Sequence, residues 1–321
     1  MQLGPLSMQT LLWSLVLVAA LAVLVRSSKI FVSASEDTAK ALGWSSLFVG
    51  VTVVAVGTSL PELATSLWAA WTRNSSLVAA NVTGSNIANV LLILGSAAVL
   101  AKGLDLSKEA MQRQVSFLLI ATFLLIGTIY DGRFEWFEGV LLLAYYGVYA
   151  LFSVEEHKEG RFEALKNWFF KPEFNSKLIA LLVASALATG AASYFAVHAI
   201  EELTSLTKLL PSVLGASVLA LGTSLPELSV AWIAARKGNS DLAVGTLLGS
   251  TVFNVCLVMA LPSFLRTLNV NTDTLTLGIP FLLISTLLLL FALVQKKLTA
   301  HEGFAYVLLY ILFIFQLYTS F

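Results

Sequence analysis

Apolar residues fill the chain in long runs separated by short polar stretches, at roughly 9–34, 46–70, 77–101, 114–130, 134–153, 177–200, 211–235, 242–265, 274–294 and 302–320. About 20 helical residues span a hydrocarbon core of about 30 Å, so the pattern predicts an all-α membrane protein of ten transmembrane helices. The fourth and fifth runs are separated only by Asp131-Gly132-Arg133. Leu11 to Val25 has the look of a secretory signal, with Ser33-Ala34-Ser35 offering small residues for cleavage. No Lys or Arg precedes that run, and Arg26 and Lys29 follow it, so it reads as the first span.

Composition agrees with the pattern. The chain is 58% hydrophobic and 12% charged, against about 45–50% and about 25% in soluble domains. Nineteen basic and nineteen acidic residues cancel, which gives no basic surface for nucleic acid. Cys256 stands alone, so no internal disulfide is expected and cysteine usage points to no compartment.

Two of the runs contain the same seven letters, Gly-Thr-Ser-Leu-Pro-Glu-Leu, at 57–63 and at 222–228. Aligning 57–95 on 222–260 without a gap gives 17 identities in 39 positions. Gly57/Gly222, Glu62/Glu227, Gly84/Gly249, Ser85/Ser250 and Asn89/Asn254 all stand 165 residues apart, which marks two copies of one ancestral unit. The copies are read as 1–153 and 177–321, each with five spans, joined by a mixed-charge linker at 154–176 that reads as a solvated connector, with a partially helical regulatory segment as the alternative. The linker is too short for a separate domain of typical size.

Basic residues fall on alternate sides of these spans. Thirteen lie on one side, among them Lys40, Lys102, Lys237 and Lys297 and the linker's own, against Arg73, Arg133, Lys208 and Arg266 on the other. Cytoplasmic loops retain Lys and Arg, so the linker is expected in the cytoplasm and both termini on the far side, in a plasma or bacterial inner membrane. An odd number of spans per half makes the second half cross in the opposite sense. Inverted repeats of this kind place substrates near the midplane, at discontinuous helices.

A carboxylate deep in a span costs about 2.5–3.5 kcal/mol on insertion scales. Glu62 and Glu227 are the two acidic residues so placed, and no Lys or Arg lies near a span centre to neutralise them. Pro61 and Pro226 lack an N–H and crowd the carbonyl four residues back, which is expected to free the oxygens of Gly57 and Gly222. Around each break stand hard oxygen donors, Thr58 and Ser59 in one copy and Thr223 and Ser224 in the other. On the next run, Ser85 and Asn89, like Ser250 and Asn254, are four apart and share a helix face. Such a set suits Ca²⁺, which takes six to eight oxygens at about 2.3–2.6 Å. Two negative charges match one Ca²⁺ or two Na⁺.

Other readings fare less well. The three histidines lie in loops or near a span end and Cys256 is single, which disfavours a transition metal. An intramembrane hydrolase using Ser59 or Ser224 would need Gly two residues later, where Pro61 and Pro226 stand, and a nearby His. No enzyme is expected. An ion channel would share the residues but differ in rate and coupling. The sequons at Asn74 and Asn81 lie beside or inside spans and read as unmodified residues.

The paired GTSLPE segments, each followed by a GSxxxN segment (Gly84 to Asn89, Gly249 to Asn254), make the chain resemble the sodium/calcium exchangers of the calcium/cation antiporter superfamily. The resemblance covers both repeats and the ten-span layout. It implies antiport of Ca²⁺ against Na⁺ by alternating access, with no cofactor. The ligands carried over are Glu62, Glu227, Thr58, Ser59, Thr223, Ser224, Ser85, Ser250, Asn89 and Asn254, with Gly57 and Gly222 joining through nearby carbonyls. A proton- or potassium-coupled cation exchanger is the alternative. Potassium-dependent relatives carry Asp where this chain has Asn254, and the proton-coupled branch has a GNxxE-type repeat, so both are disfavoured. Relatives often have Gly-Asn where this chain has Ala80-Asn81, and the second copy reads Gly245-Thr246. The large calcium-sensing insert of animal exchangers is missing, and regulation of that kind is not expected.

Overall fold

The computed structural model describes residues 8–42, 44–106, 109–155, 176–207 and 222–319. In chain order these form α1 (Met8–Leu42), α2 (limbs Ser46–Thr58 and Leu60–Trp71), α3 (Ser76–Leu100), β1 (Leu104–Asp105), α4 (Glu109–Ile129) and β2 (Arg133–Phe134). There follow α5 (Trp136–Glu155), α6 (Ser176–Thr207), α7 (Leu225–Arg236), α8 (Ser240–Ser263), β3 (Leu268–Asn269), α9 (Thr274–Val294), β4 (Lys297–Leu298) and α10 (Ala300–Thr319).

Among the described residues seven helices are long and apolar enough to cross a membrane, and α2, bent by 40°, makes an eighth if its limbs form one span. α4 supplies a shorter apolar helix. α7 is the C-terminal part of the seventh expected run, whose residues 211–221 lie outside the described ones, as do 156–175 of the linker. Each of the ten expected runs therefore has its helix. The boundaries differ most at α1, where the run ends at 34 and the helix continues to Leu42. Its 35 residues make about 52 Å at 1.5 Å each. Hydropathy marks where lipid contact ends, whereas backbone hydrogen bonding carries the helix on to Leu42, past Glu36, which binds Lys237 at 3.0 Å and Asn239 at 3.2 Å.

Two short antiparallel pairings establish the inversion. β1 pairs with β4 and β2 with β3. β1 and β2 flank α4, whose 21 residues are about 32 Å long, so they sit at opposite ends of the bundle. On the 165-residue offset β1 corresponds to β3 and β2 to β4, yet β1 lies beside β4. Equivalent segments of the two halves therefore occupy opposite faces. Side chains reinforce each face: Asp105 N donates to Ser240 Oγ at 3.4 Å on one, and Asn269 N to Ser75 Oγ at 3.3 Å on the other. Lys40, Lys102, Lys237 and Lys297 thus share the first face.

Burial separates the helices into two classes. The apolar windows of α3 and α8 are 78% and 94% buried, against 11% in α1 and 22% in α5, α6 and α10. α3 and α8 are the central helices, and α1, α5, α6 and α10 present most of their side chains outward. What brings α8 so close to α2 is a pair of glycines. A Cβ on Gly245 would stand 2.7 Å from the Leu47 carbonyl oxygen, and one on Gly249 2.2 Å from that of Val51. Small residues let membrane helices meet backbone to backbone, and this contact delivers Ser250 to the break in α2.

Candidate metal centre

Both heptapeptides break their helix at the serine. Ser59 has φ −89° and ψ 6°, and Ser224 φ −87° and ψ 7°. The prolines follow in the first turn of the next helical segment, where a missing N–H leaves nothing unsatisfied. Glu62 and Glu227 consequently stand in the first turn of α2's second limb and of α7. The unpaired amides of a helix N-terminus favour negative charge, so the break that exposes each carboxylate also supports it.

The two carboxylates are held across the boundary between the halves. Ser59 Oγ donates to Glu227 Oε1 at 2.8 Å, and its counterpart Ser224 Oγ donates to Glu62 Oε1 at 3.2 Å. Ser250 Oγ reaches Glu227 Oε1 at 3.4 Å and Thr58 Oγ1 at 3.3 Å. Glu62 and Glu227 are 1% and 0% exposed. Each keeps its second oxygen, Oε2, buried and without a hydrogen-bond partner among the described residues. Ser85 Oγ, Asn89 Oδ1 and Asn254 Oδ1 are in the same condition. Buried oxygens are ordinarily satisfied, so a set of five with free lone pairs is suited to a hard cation.

Eleven of the twelve expected site residues are buried and Gly57 is half-buried. The hydrogen bonds just described join Ser59, Glu227, Ser250 and Thr58 into one group and Ser224 and Glu62 into a second. Thr223 Oγ1 donates to Asn81 Oδ1 at 3.5 Å. The Gly222 carbonyl, expected to be free, accepts from Ser193 Oγ of α6 at 2.6 Å and keeps one lone pair. Among the described residues no three His, Cys, Asp or Glu gather, so the donors are two carboxylates and neutral oxygens.

Asn81, read in the sequence as part of a sequon and of the Ala80-Asn81 departure, stands beside Glu62 and Thr223. Its Nδ2 donates to the Glu62 carbonyl at 3.4 Å and to Ser66 Oγ at 3.1 Å. Asn81, Ser85 and Asn89 recur every fourth residue along α3, a spacing that puts them on one face and was there to be read. Asn89 and Asn254 each lie in a wide π-helical segment, 88–94 and 254–258. Such turns are frequent at functional sites.

Comparison with known proteins agrees with this geometry. The family described as sodium/calcium exchanger protein matches residues 12–155 and 177–319. The chain belongs to that family. It is a cation exchanger and not an enzyme. The inner membrane protein YrbG of Escherichia coli is 32% identical over 279 residues, covering 79% of this exchanger and 80% of its own chain. The sodium/calcium exchanger MaX1 of Methanosarcina acetivorans is 30% identical over 347 residues, covering 95% and 98%. The solved sodium-calcium exchanger NCX_Mj, soaked with 10 mM Na⁺ and zero Ca²⁺, superposes with a TM-score of 0.80 at 25% identity, over 94% of this chain and 98% of that one.

Proposed function

We propose that this exchanger moves Ca²⁺ against Na⁺ by alternating access, at a site built on Glu62 and Glu227. The observation that carries the reading is the reciprocal pair, Ser59 to Glu227 and Ser224 to Glu62, which leaves one oxygen of each carboxylate free. Around them stand Thr58, Thr223, Ser85, Ser250, Asn89 and Asn254 as neutral donors, with the carbonyls near Gly57 and Gly222. Two charges balance one Ca²⁺ or two Na⁺, and an empty, doubly negative site would resist reorientation across the bilayer, which favours exchange over leak. MaX1 and NCX_Mj are sodium/calcium exchangers by name, which supports the same pair of ions.

The two inverted units are taken as 1–153 and 177–321, with 154–176 between them. The clustering of Lys on the face of β1 and β4 supports placing that face in the cytoplasm, with both termini outside, in a bacterial inner membrane or a plasma membrane.

Reconstituted vesicles test the coupling. Ca²⁺ uptake should follow an outward Na⁺ gradient and be unaffected by a proton gradient or by removing K⁺. Uptake that ignores Na⁺ and follows protons, or that requires K⁺, would replace this reading with the proton- or potassium-coupled one.

A further inference from the structure

We infer that Asn86 and Thr251 are positioning residues that keep the amide oxygens of Asn254 and Asn89 turned toward the cation; the inference rests on the site proposed above. The two are counterparts, 165 residues apart, and they touch where the halves meet: Asn86 Nδ2 donates to the Thr251 main-chain carbonyl at 3.2 Å. A main-chain carbonyl can only accept. That fixes which end of the Asn86 amide faces it, and Asn86 Oδ1 therefore points the other way. Asn254 Nδ2 donates to this oxygen at 3.3 Å, so the Asn254 amide is oriented in turn, with its own Oδ1 buried and without a partner among the described residues.

The opposite half repeats the logic with a hydroxyl in place of an amide. Thr251 Oγ1 gives its one proton to the Leu247 carbonyl at 2.7 Å. Only lone pairs remain for Asn89, whose Nδ2 meets them at 3.5 Å. The Asn89 Oδ1 is again buried without a partner among the described residues. Two main-chain carbonyls, each acting through one side chain, thus dictate the orientation of two ligands.

Orientation matters because an amide is two-faced. Its oxygen is a hard donor to Ca²⁺ or Na⁺, whereas its NH₂ carries partial positive charge and repels either. The two ends of an amide are nearly equal in size, so packing does not choose between them and the hydrogen bond does.

Calcium binding to the purified full-length protein, followed calorimetrically, tests this. Residues that orient metal ligands typically contribute about 10–100-fold in affinity, and that is the loss expected for the near-isosteric changes Asn86→Leu and Thr251→Val. Thr251→Ser keeps the hydroxyl and should recover most of the loss. A purely structural role is separated by a double-mutant cycle: Thr251→Val should add little in an Asn89→Ala background, and Asn86→Leu little in Asn254→Ala. Unchanged affinity in the folded single variants, or losses that simply add, would overturn the inference. If Asn86→Leu does not survive purification, the Thr251 series decides. Glu62→Gln separates the two levels: if it abolishes binding while Thr251→Val does not weaken it, only the positioning fails, whereas full affinity in Glu62→Gln removes the site itself.

Discussion

The Ser59 hydroxyl, at the helix break of the first half, donates to the Glu227 carboxylate of the second at 2.8 Å. The mirrored bond from Ser224 to Glu62 is longer, at 3.2 Å. Neither half completes its own carboxylate's surroundings, so the site exists only where the two inverted units meet. Ser250 from α8 also reaches Glu227, while Thr223 and the contact that Asn81 makes to the Glu62 carbonyl support Glu62.

The shorter of the two bonds is the stronger, so removing these hydroxyls should have unequal effects. A hydrogen bond to a charged group contributes about 1.5–3 kcal/mol, so Ser59→Ala is expected to raise the KM for Ca²⁺ by about tenfold or more, with Ser224→Ala showing a smaller rise. Initial rates of Ca²⁺ uptake into vesicles read the difference. Equal KM values in both variants and the parent would contradict it.

Stability should respond most sharply where α8 meets α2. Ala at Gly249 would put its Cβ 2.2 Å from the Val51 carbonyl oxygen, and backbone cannot yield as a flexible side chain does. Overpacking of this kind costs about 1–3 kcal/mol, so Gly249→Ala should lower Tm in detergent. Gly127 has open space around it, and Gly127→Ala should leave Tm unchanged or slightly raised. An unaltered Tm for Gly249→Ala would mean that the helices do not approach so closely.

Sidedness can be read with single cysteines, because the native Cys256 is buried and should not react with an impermeant maleimide. Lys40→Cys and Lys297→Cys should label from one side of the membrane and Arg133→Cys from the other. Labelling of Lys40→Cys and Arg133→Cys from the same side would break the inversion that the strand pairings establish.

Much of this was legible in the sequence because the signals are long and repeated. Ten apolar runs and two copies of GTSLPEL predict a helical membrane protein built on an inverted repeat and single out Glu62 and Glu227 without coordinates. The α1 extension past 34 was not legible, since hydropathy reports lipid contact and says nothing of a helix that continues against the protein, where Ser35, Thr38 and Ala39 are buried. The occupation of the Gly222 carbonyl by Ser193 was equally hidden: Pro226 dictates that the oxygen is freed locally, and only tertiary packing decides what takes it. Asn81 is visible through its four-residue spacing to Ser85 and Asn89. Asn86 and Thr251 gave no such signal, because their role depends on which atoms meet across the interface between halves.

The most direct test of the central claim is the stoichiometry of Ca²⁺ binding by the purified protein and by Glu62→Gln and Glu227→Gln. One shared site predicts a single Ca²⁺ per chain, lost in either variant while the fold persists by thermal melting. Binding that survives in one variant at the parent's affinity, or two independent sites each removed by only one substitution, would contradict it.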